Sequence, residues 1–246
     1  MPLAIVTVLL ALLALCCHLA GAEPLKVCLV SGSAEYKSDE SLTAFKAYVE
    51  ANFSVACSLV LAKDGGDSLP GIEAIDTTDV ALIFTRRLKP PADQLDRVKK
   101  YCQAGRPVVG LRTASHAFQP WLEFDKEVLG GNYKNHYGAG PEVKVSIAEK
   151  ATGHPILAGV QPFTTKASLY RNTGLAADVE LLLTGTSAEH SEPIAWTRVH
   201  NGGRVFYTSL GAPEDFANDD FKRMLVNSLF WVAKRTPEAR LSPAAK

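Results

Sequence analysis

The sequence has no surplus of charge: 26 Lys and Arg are matched by 26 Asp and Glu, for a formal net charge of zero. A nucleic-acid binder draws its affinity from excess positive charge laid against phosphates, so no nucleic-acid partner is expected. The same balance, with 47% hydrophobic residues, excludes a disordered chain, which joins low hydrophobicity to high net charge. Cysteine is scarce, five in 246 residues, with no C-x-x-C pair and no C-x-x-C-H. That excludes a disulfide scaffold, a zinc ribbon and an attached c-type haem. There is no G-x-x-x-x-G-K-[ST] or G-x-G-x-x-G phosphate loop, no H-E-x-x-H and no close His/Cys cluster. A metal site assembled from distant loops stays open on spacing alone, but no metal and no cofactor is expected. The length suits one large α/β domain, or at most two small ones.

The one long apolar run is N-terminal. From Leu3 to Cys17 every residue except Thr7 is apolar, and Ala20-Gly21-Ala22 then supplies a small-x-small cleavage pattern. The run falls short of the roughly 20 residues of an untilted membrane span. It predicts a secretory signal peptide over 1–22, cut after Ala22, and an exported (periplasmic or secreted) protein with no membrane contact after cleavage. The n-region carries no Lys or Arg, which makes an uncleaved anchor the alternative. Leu15 before Cys16, and Cys16 before Cys17, stand where a lipoprotein signal needs a small residue. Cleavage leaves Cys28, Cys57 and Cys102. They read as small buried hydrophobes, with a Cys28–Cys57 bridge between neighbouring strands left open.

After the signal, strand-like and helix-like segments alternate. Residues 26–30, 54–61, 80–84 and 107–111 are short apolar runs suited to strands buried on both faces. Between them, Ser38 is expected to cap a helix through Asn52 with Leu42, Phe45 and Val49 on one face, and Pro90-Pro91 to open another carrying Leu95, Val98 and Cys102. This order predicts a mostly parallel sheet flanked by helices, in a single domain spanning 23–235. Residues 143–147, 179–183, 194–199 and 204–208 are further strands, and a last helix begins near Asn218. Residues 236–246, polar with two prolines counted from Arg235, read as a flexible tail.

Ligands collect at the carboxyl ends of parallel strands, which directs attention to the loops 31–40, 85–87 and 112–118. The sharpest segment is Pro107-Val108-Val109-Gly110-Leu111-Arg112-Thr113-Ala114-Ser115-His116: a buried strand running into a tight turn, the layout of a nucleophile elbow. Class I glutamine amidotransferases place a cysteine there. Arg112 stays protonated and cannot attack a carbonyl, so thiolate chemistry is excluded at this position. An arginine there can grip a carboxylate, phosphate or paired hydroxyls, or it can simply brace the turn against an acidic neighbour such as Glu35. The run Gly130-Gly131-Asn132-Tyr133-Lys134-Asn135-His136-Tyr137-Gly138, with no helix or strand period, offers glycine backbone, flat rings and hydrogen bonds of the kind that bind sugars. His154, His190 and His200 receive no role.

Taken in order, these residues resemble the ThuA-like family, named for trehalose utilisation. The resemblance rests on Val30-Ser31-Gly32-Ser33-Ala34-Glu35-Tyr36, on 109–118, on Leu129-Gly130-Gly131-Asn132-Tyr133 with His136, on His154-Pro155-Ile156, and on 203–211 before the terminal Phe230-Trp231. It implies a flavodoxin-related, class I glutamine amidotransferase-like fold and a role in carbohydrate metabolism, with a keto-sugar or disaccharide as ligand. The chain departs from many members: Glu35-Tyr36 replaces His-Asp-like residues in the first loop, and Arg112 and Ala212 stand where histidines are common. The expectation is a protein that binds and processes a carbohydrate. In it Arg112 orients a ligand oxygen, Glu35 and His136 transfer protons, and Ser31, Tyr36, Ser115, His116 and Tyr133 bind the ligand. The alternatives are a non-catalytic sugar-binding or interaction module, and a hydrolase using Ser115. The oligomeric state has no signal in the sequence.

Overall fold

The computed structural model describes residues 23–138 and 142–240. The expected signal peptide therefore lies outside the described residues, as does the end of the expected tail.

The apolar runs become the central strands. β1 (Leu25–Gly32) pairs in parallel with β2 (Val55–Leu61) on one side and β3 (Val80–Thr85) on the other. β3 pairs in parallel with β4 (Val108–Leu111), and β4 with the late strand β11 (Gly203–Thr208). These five strands are parallel, and every residue of β3 and β4 is buried, as continuous apolar sequence requires of a strand covered on both faces. β10 (His190–His200), β9 (Glu180–Ser187), β6 (Val143–Ile147) and β7 (Phe163–Thr165) then extend the sheet with antiparallel pairs. The full order is β2-β1-β3-β4-β11-β10-β9-β6-β7, and β5 (Tyr133–His136) with β8 (Tyr170–Asn172) forms a separate two-stranded ribbon. The fold is mixed α/β with a mostly parallel central sheet.

Side chains alternate across the sheet and build two cores. Leu25, Val27 and Leu29 of β1 pack with Leu42, Phe45 and Val49 of α1 (Ser38–Asn52) and with the stripe Phe221, Leu225, Leu229 and Val232 of α3 (Asp219–Val232). Cys28 and Val30 face the other way, onto Leu95, Val98 and Cys102 of α2 (Ala92–Gln103). That alternation settles the cysteines. Cys57 is in register with Val27 and so shares its face, whereas Cys28 points to the opposite one, and all three thiols are free. Burial pushes each of them up to about 12.

Three local expectations change. Ser38 is the first residue of α1 rather than its cap; its hydroxyl accepts the Ser33 amide at 2.7 Å and so fixes the loop after β1. Residues 133–136 form β5, because Tyr133 and His136 pair across to Asn172 and Tyr170 in a ribbon too short and polar to show a period. The chain from 236 to 240 is not loose: Ser54 donates its amide to Glu238, Ala239 bridges Phe53, and the Arg240 amide reaches Asn52.

Candidate functional site

The strand order reverses between β1 and β3, since β1 leads to β2 on one side while β3 and β4 lie on the other. Crevices at such reversals, outside the carboxyl ends of the strands, are where open parallel sheets hold ligands. Three turns meet there: the short 3-10 turn Ala34–Tyr36 after β1, Arg86-Arg87 after β3, and the 3-10 turn Arg112–His116 after β4.

Arg112 takes the elbow position with φ +44°, a left-handed backbone that ordinary residues rarely adopt. Its side chain is sealed, with 1% of its surface exposed. Nη1 donates to the Ser209 carbonyl at 2.5 Å, and Nη2 to Ser168 Oγ at 2.9 Å and to the Tyr36 hydroxyl at 3.2 Å. The Tyr36 and Tyr170 rings lie against the guanidinium, 4.3 and 4.6 Å from its carbon. Nε is buried without a partner. Burial works against the charge, but Tyr170, Tyr36 and the field of Asp215 outweigh it and hold Arg112 above its ordinary value. Asp215 itself accepts from Thr165 Oγ1 and from the Gly211 and Ala212 amides. Glu35 plays no part here; it pairs with Arg86 at 2.9 Å.

Around this buried cation stands an aromatic wall. His116 stacks on Tyr133, with centroids 4.7 Å apart and planes 20° apart, and Tyr133 packs against Tyr170 at 4.5 Å. Burial first, then the charges of Arg87, Arg86 and Arg112, lower His116 to about 3, so the imidazole is neutral at ordinary pH. Its Nδ1 lies 3.1 Å from Ser115 Oγ, which also donates to the Arg112 carbonyl at 3.3 Å. The Tyr207 hydroxyl donates to that same carbonyl at 2.7 Å. Below Tyr133, Asp125 in the π-helical turn Asp125–Leu129 accepts the Tyr133 amide through Oδ2 at 2.7 Å, while Oδ1 is buried and unpartnered. Burial raises this carboxyl to about 7.

The residues singled out from sequence thus separate. Tyr36, Ser115, His116 and Tyr133 gather around Arg112. His136 is exposed on β5, where its Nδ1 accepts the Gly138 amide, and its ring is 6.4 Å from that of Tyr170. Glu35 lines a cavity that does not include Arg112, and Ser31 is fully buried, its hydroxyl donating to Asp39 Oδ1 at 2.5 Å and accepting from the Ser38 hydroxyl at 2.7 Å. Glu35, Arg112 and His136 are not brought onto one cavity, because the donors of Arg112 are turned inward to segments that close over it. Sequence reasoning missed Ser168, Tyr170 and Asp125, whereas Arg87 lies in the loop 85–87 to which the sequence had pointed. Ser168 and Tyr170 carry no motif, Tyr170 reaching the site on a three-residue strand and Ser168 from the loop before it, and Asp125 is one of four charged residues in 121–129 with no spacing to single it out. Among the described residues there is no group of three or more His, Cys, Asp or Glu placed to hold a metal ion.

The structure is a mixed α/β domain with a mostly parallel central sheet, and a buried arginine stands at the turn after β4. The chain belongs to the ThuA family, described as trehalose utilisation, whose model matches residues 26–232. That membership ties it to carbohydrate function related to trehalose utilisation. Among solved structures it is similar to a ThuA-like protein from Parabacteroides merdae, at 18% identity and TM-score 0.65, covering 88% of this chain and 98% of that one. A ThuA-like protein from Bacteroides uniformis matches at 19% and 0.64, covering 86% and 93%. The β-galactosidase from Rahnella sp. R3 matches at 14% and 0.54, over 84% of this chain but 31% of that one. At these identities the likeness speaks to the fold. No curated protein matches the chain.

Proposed function

We propose that the protein binds a carbohydrate against the wall formed by Tyr36, His116 and Tyr133. The observation that carries this reading is the His116–Tyr133 stack standing at the carboxyl edge of the parallel strands, backed by Tyr170 and the buried Arg112. A sugar ring offers C–H bonds to a flat aromatic face and hydroxyls to the polar groups around it. Arg112 is then a positioning residue: its guanidinium holds Tyr36 and Tyr170 in place. Arg87, with an exposed side chain, and His136 supply polar contacts at the rim. Where the bound sugar is also processed, proton transfer falls to His136, the exposed imidazole of the edge. His116 is held neutral by its surroundings.

Calorimetric titration with glucose, trehalose and a 3-keto-glucoside tests this. Binding of at least one of them is expected, with affinity falling about tenfold or more in Tyr133→Ala. Unchanged binding in both Tyr133→Ala and His116→Ala, or no binding of any of the three, overturns it. We also propose export, on the strength of the apolar run from Leu3 to Cys17 and the small residues before Glu23. Mature protein beginning at Glu23 and recovered outside the cytoplasm is the expected result; cytoplasmic protein retaining the segment 1–22 refutes it.

A further inference from the structure

Glu35 lines a cavity of about 300 Å³ that lies between the ends of β1 and β3 and does not include Arg112. We infer that this cavity is a second sugar subsite, so that the ligand is a disaccharide or longer rather than a single ring. The inference rests on the carbohydrate reading above and assigns Glu35 to holding the second ring instead of moving a proton.

Three features suit the cavity to a sugar. Its position is the strand-order reversal itself, with Gly32 from β1 on one side and Arg86 after β3 on the other. Leu88 contributes an apolar lining, pressed so closely on the glycines that a Cβ at Gly32 or Gly66 would come within 2.8 Å of it. Its backbone is fixed, since the Leu88 amide donates to Ala117 and the Gln119 amide to Leu88. The remaining wall is polar and of mixed sign: Glu35 and Asp39 accept hydrogen bonds, and Arg86 donates them. An apolar lining beneath a rim of carboxylates and guanidinium matches a ring whose faces are C–H and whose edge is hydroxyl.

The cavity and the aromatic wall share a ridge. The Arg86 amide is bonded to the Gly32 carbonyl beside the cavity, and the next amide, that of Arg87, to the His116 carbonyl beneath the wall. Successive residues, about 3.8 Å apart at their Cα atoms, thus tie the backbone beside the cavity to the backbone beneath the wall. Arg86 ion-pairs with Glu35 on the cavity side, and its charge is also felt at His116 and Tyr133.

The test is titration of the purified protein with glucose and with three of its disaccharides, trehalose, maltose and cellobiose. At least one disaccharide is expected to bind about tenfold tighter than glucose. Ala34→Trp, which fills the cavity from an exposed turn, and Asp39→Asn, which keeps its acceptor for Ser31, should each bring that disaccharide down to the glucose level and leave glucose binding unchanged. If no disaccharide binds tighter than glucose, or both variants keep the preference, or both lose glucose as well, the second subsite is overturned while the carbohydrate reading stands. If neither glucose nor any disaccharide binds, both fall together.

Discussion

Two turns at the ligand edge use one backbone device and deliver their arginines to opposite environments. Arg87 follows β3 with φ +52°, and Arg112 follows β4 with φ +44°. Both are strained for an L-residue, and such strain persists only where the surroundings hold it. Arg87 ends with its side chain exposed, next to an arginine engaged in a surface ion pair. Arg112 ends buried, because Tyr36 and Ser168, 76 and 56 residues away along the chain, close over it and take its donors. The lesson is that a strand running into an arginine marks a turn, while what stands above the turn decides between a ligand contact and a structural brace.

The sharpest way to break that contrast is to remove the buried guanidinium. Arg112→Ala strips hydrogen-bonding partners from the Ser209 carbonyl, Ser168 and Tyr36, and opens a cavity between two tyrosine rings. A loss of about 3–5 kcal/mol is expected, read from the urea midpoint. Arg112→Lys keeps the charge without the planar fork and should recover part of it. A variant that keeps the wild-type midpoint but loses sugar affinity would show Arg112 to be a ligand group, and the contrast between the two turns would collapse.

Titration sharpens the same contrast, because two largely buried groups near Arg112 are shifted in opposite senses. Asp125 goes from 3.8 up to about 7, so the folded state holds its proton more tightly than the unfolded chain. Its contribution is full below about pH 4 and is lost as pH rises through 7. His116 goes from 6.5 down to about 3, so the folded state refuses a proton that the unfolded chain accepts. Its contribution is full above pH 6.5 and is lost as pH falls toward 3. Between pH 4 and 6.5 the two oppose each other and flatten the profile. Asp125→Asn should therefore leave a stability that rises with pH across this window, and His116→Phe one that falls. Each separated slope amounts to on the order of 2 kcal/mol between pH 4 and 6.5. Parallel profiles for both variants and the wild type would mean that neither group is buried as described.

The sequence made the parallel half of the fold legible for a simple reason. Strands covered on both faces need continuous apolar runs, and 80–84 and 107–111 are such runs. The elbow was legible for the same reason, since Arg112 breaks an apolar strand abruptly. The ribbon of β5 and β8 was not, because strands of four and three residues that expose Lys134, Asn135 and Arg171 carry no hydrophobic period. That ribbon is what brings Tyr133 and Tyr170 together over Arg112, so the fate of the guanidinium was hidden with it. Glu35 shows the converse. Its nearness to the strand end was readable, but its choice of Arg86 over Arg112 depends on which face of the turn Ala34–Tyr36 it leaves by, and no spacing encodes that.

The smallest expected effect isolates backbone from side chain. A left-handed L-residue is strained by roughly 1–2 kcal/mol, and glycine removes that strain at a cost in unfolded-state entropy of about 0.5–1 kcal/mol. Arg87→Gly gives up an exposed side chain outside any of the ion pairs found among the described residues, so the two backbone effects remain and nearly offset. Its urea midpoint should lie at or slightly above that of the wild type. Arg112→Gly relieves the same kind of φ yet loses every contact of the buried guanidinium, and should fall nearly as far as Arg112→Ala. Equal shifts in the two glycine variants would show that the backbone alone distinguishes these turns, and would remove the reason for treating the sealed arginine as the brace on which the aromatic wall is built.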